Sequence, residues 1–219
     1  MAPASQALIQ VYTTFAGEIA RHRAVFLRAL ANQPSTTGTD LALQQFAGWH
    51  CLIALHDACL RFCKHAIIVS ALGGVVSNSG NTVAPSPVLA GGASPLDYLQ
   101  SNWPKGLGRC YPEGPKWYEA PVADVAAQIL QIGNYAAFSG AILAKADAPT
   151  ELKACRNYLA HRDPGTENHN DIQNLRARIK VAGTTPHTER LAEYKVSGST
   201  TLFEEWCIEL DTIAGAAIA

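Results

Sequence analysis

Apolar residues recur with helical spacing at both ends of the chain and lose that spacing in the middle. Between Ser5 and Leu30, residues Leu8, Val11, Tyr12, Phe15, Ile19, Val25, Phe26 and Leu30 follow the three-and-four rhythm of an amphipathic helix. Asn32, Pro34 and Gly38 close it, and Thr39 or Asp40 caps a second helix running to about Leu72. In that helix Trp49, Leu52, Ile53, His56, Cys59, Leu60, Cys63 and Ile67 share one side; His50, Asp57, Arg61, Lys64 and His65 share the other. The pattern resumes at Pro121 with an apolar stripe of Val122, Val125, Ile129, Ile132, Phe138, Ile142 and Leu143. A further helix starts at Pro149-Thr150-Glu151, reaches His161 and stops at Asp163-Pro164-Gly165. A shorter one spans Asn170 to Val181, and Ser199 or Thr200 caps the last, from Leu202 to about Ala217. Strand signals are weak and no repeat is visible. The pattern predicts an all-α, antiparallel helical bundle.

Between the second and third main helices, residues 73–119 hold most of the glycine and proline. They read as a long surface insertion of turns and loops, with a short helix at Pro95–Ser101. Residues 1–219 are otherwise expected to form a single domain, since 48% hydrophobic residues against 16% charged suffice for one packed core. With 17 basic and 18 acidic residues, a generally basic nucleic-acid coat and an acidic tail protein are both excluded. A nuclease with one local cationic site is not. The longest apolar stretch, Ala66 to Val76, is far short of the ~20 residues of a membrane span. The N-terminal region has neither a positively charged opening nor a long apolar run and does not read as a signal peptide. A cytoplasmic protein with no membrane partner is expected. Cys51, Cys59, Cys63, Cys110, Cys155 and Cys207 form no CxxC pair and read as reduced thiols.

One segment concentrates chemistry. Arg156-Asn157-Tyr158-Leu159-Ala160-His161 ends a helix just before a turn. Asn157 and His161 are four apart, hence on one helical face, and Arg156 is long enough to lean toward it. Leu152, Cys155 and Leu159 form the opposite, core-facing stripe. These residue types suit a phosphodiester. Arginine forks onto phosphate oxygens. Histidine moves protons near neutrality. Asparagine fixes the imidazole or contacts the ribose. None of these roles requires a metal, and no cofactor is expected.

In this segment the chain resembles the HEPN family, small α-helical proteins of toxin–antitoxin, phage-defence and RNA-processing systems. Their hallmark is arginine, four to six residues, then histidine, with a polar residue after the arginine. Arg156, Asn157 and His161 match the form R-N-x-x-A-H. The resemblance implies a metal-independent endoribonuclease, a toxin or phage-defence effector, in which the ribose 2′-OH attacks the adjacent phosphate and leaves 2′,3′-cyclic phosphate ends. It implies a homodimer that brings two motifs together. His161 would be the general acid/base, Arg156 the phosphate stabiliser and Asn157 the orienting group. Arg162, Arg176 and Arg178 are expected to hold the RNA backbone, and a cognate antitoxin or defence partner protein is a further expected partner. Asp163 stands where a subset of the family carries a tyrosine that is modified by partner enzymes, so that regulation is not expected here. The alternative function is a non-catalytic HEPN-like module that binds RNA, nucleotide or a partner protein.

Other clusters carry blander readings. His56, Cys59 and Cys63 are spaced to ligate a metal, but a buried histidine among small apolar thiols is expected, and it could serve as a partner of the motif. Arg21-His22-Arg23 with Arg28 is a solvated helix face or a phosphate-tracking surface. His169 and Asn170 read as caps of the next helix. Trp103, Tyr111, Trp117 and Tyr118, interleaved with Lys105, Arg109 and Lys116, pin the central loop or stack bases. Phe203, Trp206 and Leu210 on the acidic last helix close the bundle or form a dimer seam.

Overall fold

The structure is a computed structural model that describes residues 8–31, 38–107, 109–110, 114–117, 119–144, 147–161, 167–179 and 188–219. Within these, the side chains of 38–45, 160–161, 167–169, 171, 188–190 and 197 lie outside the description. The fold is all-α. In chain order come α1 (Leu8–Ala31), α2 (Gly38–Leu72), the strands β1 (Val75–Val76) and β2 (Thr82–Val83), and α3 (Pro95–Asn102). There follow α4 (Ala120–Ile129), α5 (Tyr135–Ile142), α6 (Ala148–His161), α7 (Glu167–Arg178), β3 (Lys195–Ser197), β4 (Thr200–Thr201) and α8 (Leu202–Ala217). The strands form two antiparallel ribbons, β1 with β2 and β3 with β4. No helix among the described residues is long and apolar enough to cross a membrane.

Two compact units can be distinguished, one of residues 1–16, 59–146 and 211–219, the other of 17–58 and 147–210. In the first, Leu8, Val11 and Phe15 of α1 are buried with Phe62, Ala66 and Ile67 of α2, and Phe15 stacks on Phe62 at 4.8 Å between ring centroids. The described residues of 73–119 are mostly exposed, and a few buried side chains anchor the segment. Val75, Val83, Leu99 and Trp117 are buried, because even a segment of turns lowers its free energy by removing large apolar side chains from water. The expected short helix is present as α3, with the Ser94 hydroxyl accepting from the Asp97 amide as its cap. Trp117 pins this segment, as the sequence suggests, and its indole lies on Gly114 where any Cβ would collide with the ring. Gly114 also has φ +108°, so two independent constraints require glycine there. Tyr111 and Tyr118 lie outside the described residues.

The apolar stripe from Pro121 to Leu143 is two helices, not one. Gln131 adopts φ +47° and breaks the backbone between α4 and α5. The buried face of α4 is Ala123, Ala126 and Ala127, whereas Val122, Val125 and Ile129 are only half-buried. In α1 the buried rhythm is Leu8, Val11, Phe15, Ile19, His22, Phe26, so His22 takes the inward place expected of Val25, which is 45% exposed.

The second unit is built on Phe26 stacked on Phe203 at 4.3 Å, with Leu55, Leu152, Ile172, Leu191 and Trp206 fully buried around them. Phe203, Trp206 and Leu210 are all buried within the chain, so this stripe closes the core and is not a seam for a second molecule. The start of α8 is a capping box, placed at Thr201 instead of Ser199 or Thr200. The Glu204 amide donates to Thr201 Oγ1 at 3.2 Å, and the Thr201 amide donates to Glu204 Oε2 at 3.2 Å. Arg23 donates to Glu204 Oε1 at 2.8 Å. Burial pushes the Glu204 carboxyl up, but Arg23 and the Thr201 donors outweigh it and hold it below its ordinary range. This contribution to stability is therefore complete above the ordinary carboxyl range and is lost as pH falls through the lowered value. Because His22 is buried and Arg23 is paired, Arg21-His22-Arg23 is not a continuous phosphate-tracking surface.

Candidate functional site

The motif lies on α6, whose first turn is held by α8. Pro149 suits the opening turn, and Glu209 caps it from 61 residues away in sequence. Glu209 Oε1 accepts from the Asp147 amide at 2.8 Å and Oε2 from the Ala148 amide at 2.9 Å. Two otherwise unpaired amides are thereby satisfied at the positive end of the helix dipole. Glu209→Ala is expected to cost about 1 kcal/mol, read as a lower urea midpoint at unchanged slope.

One turn in, Glu151 is held by the Trp206 indole, Nε1 to Oε2 at 2.7 Å, and by Arg178, Nη2 to Oε2 at 2.6 Å. Arg178 also reaches Glu205 at 3.3 Å. The Arg178 guanidinium thus clasps α6, α7 and α8 together. It sits at the start of α6, five residues and about 7.5 Å of helical rise before Arg156. Clefts of about 300 and 330 Å³ flank it, and Asp147, Glu151, Glu205 and Glu209 line them. Such acidic walls repel a phosphate backbone, so the RNA-holding role expected of Arg178 has no support in its surroundings. Arg176 is half-buried, and its Nε has no hydrogen-bond partner among the described residues. Arg162 lies outside the described residues, as does the side chain of His169; α7 begins two residues before His169.

The face of α6 that carries the motif is assembled by simple spacing. Leu152, Ala154 and Cys155 are buried, and Lys153, Arg156 and Asn157 are half-buried on the other side. Arg156 leans onto its neighbour as anticipated, Nη1 donating to Asn157 Oδ1 at 3.2 Å. Among the described residues it pairs with no carboxylate, unlike Arg23 and Arg178. Among the described residues its positive charge is held by a neutral amide alone. His161 is the last residue of α6, one turn beyond Asn157; its side chain lies outside the described residues.

From α2, His56 joins this face. A small apolar cavity of about 10 Å³, room for one water at most, is lined by Phe26, Trp49, Leu52, Cys155 and Leu159, which sets α2 against α6. His56 is one turn beyond Leu52, only 6% exposed, with Nδ1 3.4 Å from Asp57 Oδ1. Burial lowers its affinity for a proton; Asp57 opposes this, and Arg156 and Lys153 add to it. Lys153 is legible from sequence, being three and four residues before Arg156 and Asn157. The nearness of His56 is a tertiary fact that only its place on α2 hinted at. Among the described residues no three His, Cys, Asp or Glu side chains are grouped to hold a metal ion, and all six cysteines are free.

In comparisons with known proteins the chain matches no family model, no curated protein and no solved structure.

Proposed function

We propose that the protein is a metal-independent endoribonuclease of the HEPN type, acting as a homodimer. The observation that carries this reading is Arg156, a half-buried cation tethered to Asn157 at 3.2 Å and unneutralised by any described carboxylate, one turn before His161. In the proposed reaction the ribose 2′-oxygen attacks phosphorus as a base removes its proton. The bond to the 5′-oxygen breaks, and an acid returns a proton to that leaving oxygen. No water is consumed, and the products carry 2′,3′-cyclic phosphate and 5′-hydroxyl ends. Arg156 stabilises the charge gathering on the phosphoryl oxygens, Asn157 orients, and His161 moves the proton. Since one chain supplies a single motif histidine, a second copy supplies the other.

The face proposed for the second copy runs along α2. Phe46 is 67% exposed and Ile53 40% exposed on a face that continues to Asp57, beside His56. Phe46→Asp combined with Ile53→Asp is expected to halve the mass measured by light scattering and to reduce cutting with it. A wild-type protein that is monomeric at micromolar concentration contradicts this placement. The function itself is tested by incubating the wild-type protein with a mixed RNA pool in EDTA. Cutting is expected; intact RNA under all conditions, with and without added divalent ions, contradicts the reading.

A further inference from the structure

We propose that Cys59 and Cys63 form a two-thiolate site for a soft monovalent cation, Cu(I). Both lie on α2, an unbroken helix through these positions, and residues four apart sit one above the other on the same face. Cys63 is buried and Cys59 is half-buried, so one sulfur is enclosed while the other gives access from the surface. The pair belongs to the first unit and flanks Phe62, whose ring stacks on Phe15 of α1. It uses none of the residues placed in the RNA chemistry and does not depend on that reading.

The spacing decides what the pair can hold. One helical turn sets the two Cβ atoms about 5–6 Å apart. A disulfide needs about 3.8 Å, so a direct sulfur–sulfur bond would distort the turn. An ion seated between the sulfurs makes up the missing length. The two thiols already share a proton in this manner. The hydrogen bond with Cys63 holds the Cys59 thiol below its ordinary value although burial opposes it, and the same bond, with burial, pushes Cys63 well up. One proton leaves the pair more easily than it would leave an isolated buried thiol, and the other is retained between two sulfurs.

The donor set selects the ion. Thiolates favour Cu(I), zinc and iron–sulfur clusters. Structural zinc takes four ligands and iron–sulfur clusters are held by four cysteines. Among the described residues no three His, Cys, Asp or Glu side chains are grouped to hold a metal. Two sulfurs on opposite sides of one ion suit Cu(I), which accepts two ligands. Binding releases both thiol protons and leaves a bis-thiolate with one net negative charge, reached by water at Cys59. Affinity therefore rises with pH, since the ion replaces protons.

The test is an anaerobic titration of the full-length protein with Cu(I) against the chelator bicinchoninate, with circular dichroism to confirm the fold of each variant. One tightly held Cu(I) per chain is expected, with a rise in the thermal unfolding midpoint. Cys59→Ser and Cys63→Ala are each expected to weaken binding by about 100-fold or more, since the second thiolate acts at high effective concentration. Cys110→Ser, which removes the other half-buried thiol, is expected to leave binding unchanged. X-ray absorption of the copper-loaded protein is expected to show two sulfur neighbours. Copper held as tightly by Cys59→Ser as by the wild type overturns the proposal. So does a wild type that yields all its copper to the chelator, or a copper with three or more sulfur neighbours. If Cys63→Ala fails to fold, Cys59→Ser at the half-buried position decides.

Discussion

On the proposed reading, His161→Ala is expected to abolish RNA cutting while leaving the helical content and unfolding midpoint close to wild type. Loss of a proton-transfer group costs about 10²–10⁴ in rate, and a dimer that pairs two motifs would lose both copies. Position 161 is the last residue of α6, where alanine is an equal or better helix former, so no unfolding is expected. Arg156→Met should cost about 10²–10³, the range seen when one donor to a developing anion is removed. The measurement is initial rate on a defined oligomer, with far-ultraviolet circular dichroism as the control. Full activity in His161→Ala removes the histidine from the mechanism and contradicts the role given to it.

Trp206→Ala has the largest expected effect on stability. Trp206 is fully buried, and its indole N–H donates to the Glu151 carboxylate at 2.7 Å. Deleting the ring leaves a cavity worth about 3–5 kcal/mol, comparable to the whole stability of many domains. Trp206→Phe separates the two contributions. It keeps most of the volume but removes the donor, at about 1–3 kcal/mol. Burial already raises the Glu151 carboxyl above its ordinary value, while Trp206 and Arg178 pull it down. A raised folded-state value means that stability is fully present below the ordinary carboxyl range and is lost as pH rises through the raised one. Without the indole donor the value rises further. The deficit of Trp206→Phe in urea unfolding is therefore expected to be larger at pH 7 than at pH 4.5. An equal deficit at both values would show that the loss is packing alone.

Where local signals act alone, element boundaries were legible in the chain. The predicted start of α8 at Leu202 is observed, because Thr201 and Glu204 stand three apart before an apolar run. For α6, Pro149 and Glu151 locate the first turn, and the Leu152–Cys155 stripe identifies the core side. Where a distant contact decides, the pattern misleads. The break at 130–134 follows from Gly133 lying against the backbone of Ala84, where a Cβ would come within 2.9 Å of its N and O. Nothing in the periodicity of Val125, Ile129 and Ile132 announces that approach. Trp117 and Leu99 are buried for the same reason, within a segment whose glycine and proline content reads as surface.

The candidate site divides in the same way. Arg156 leaning on Asn157 is a nearest-neighbour contact and was foreseeable. Arg178 differs from Arg156 only through Glu151 and Glu205, each 27 residues away, so as bare sequence the two arginines look alike. His56 lies a hundred residues before Arg156, and only the packing of Leu52 against the α6 stripe brings them together.

Transesterification by the ribose hydroxyl is tested most directly by a pair of RNA oligomers in EDTA. One is all-ribose; the other is identical except for a single 2′-deoxynucleotide on the 5′ side of the cut phosphate. The account predicts that the first is cut to a 2′,3′-cyclic phosphate end and the second is not cut at that bond. Cutting of both, or a 5′-phosphate end on the downstream fragment, would contradict it.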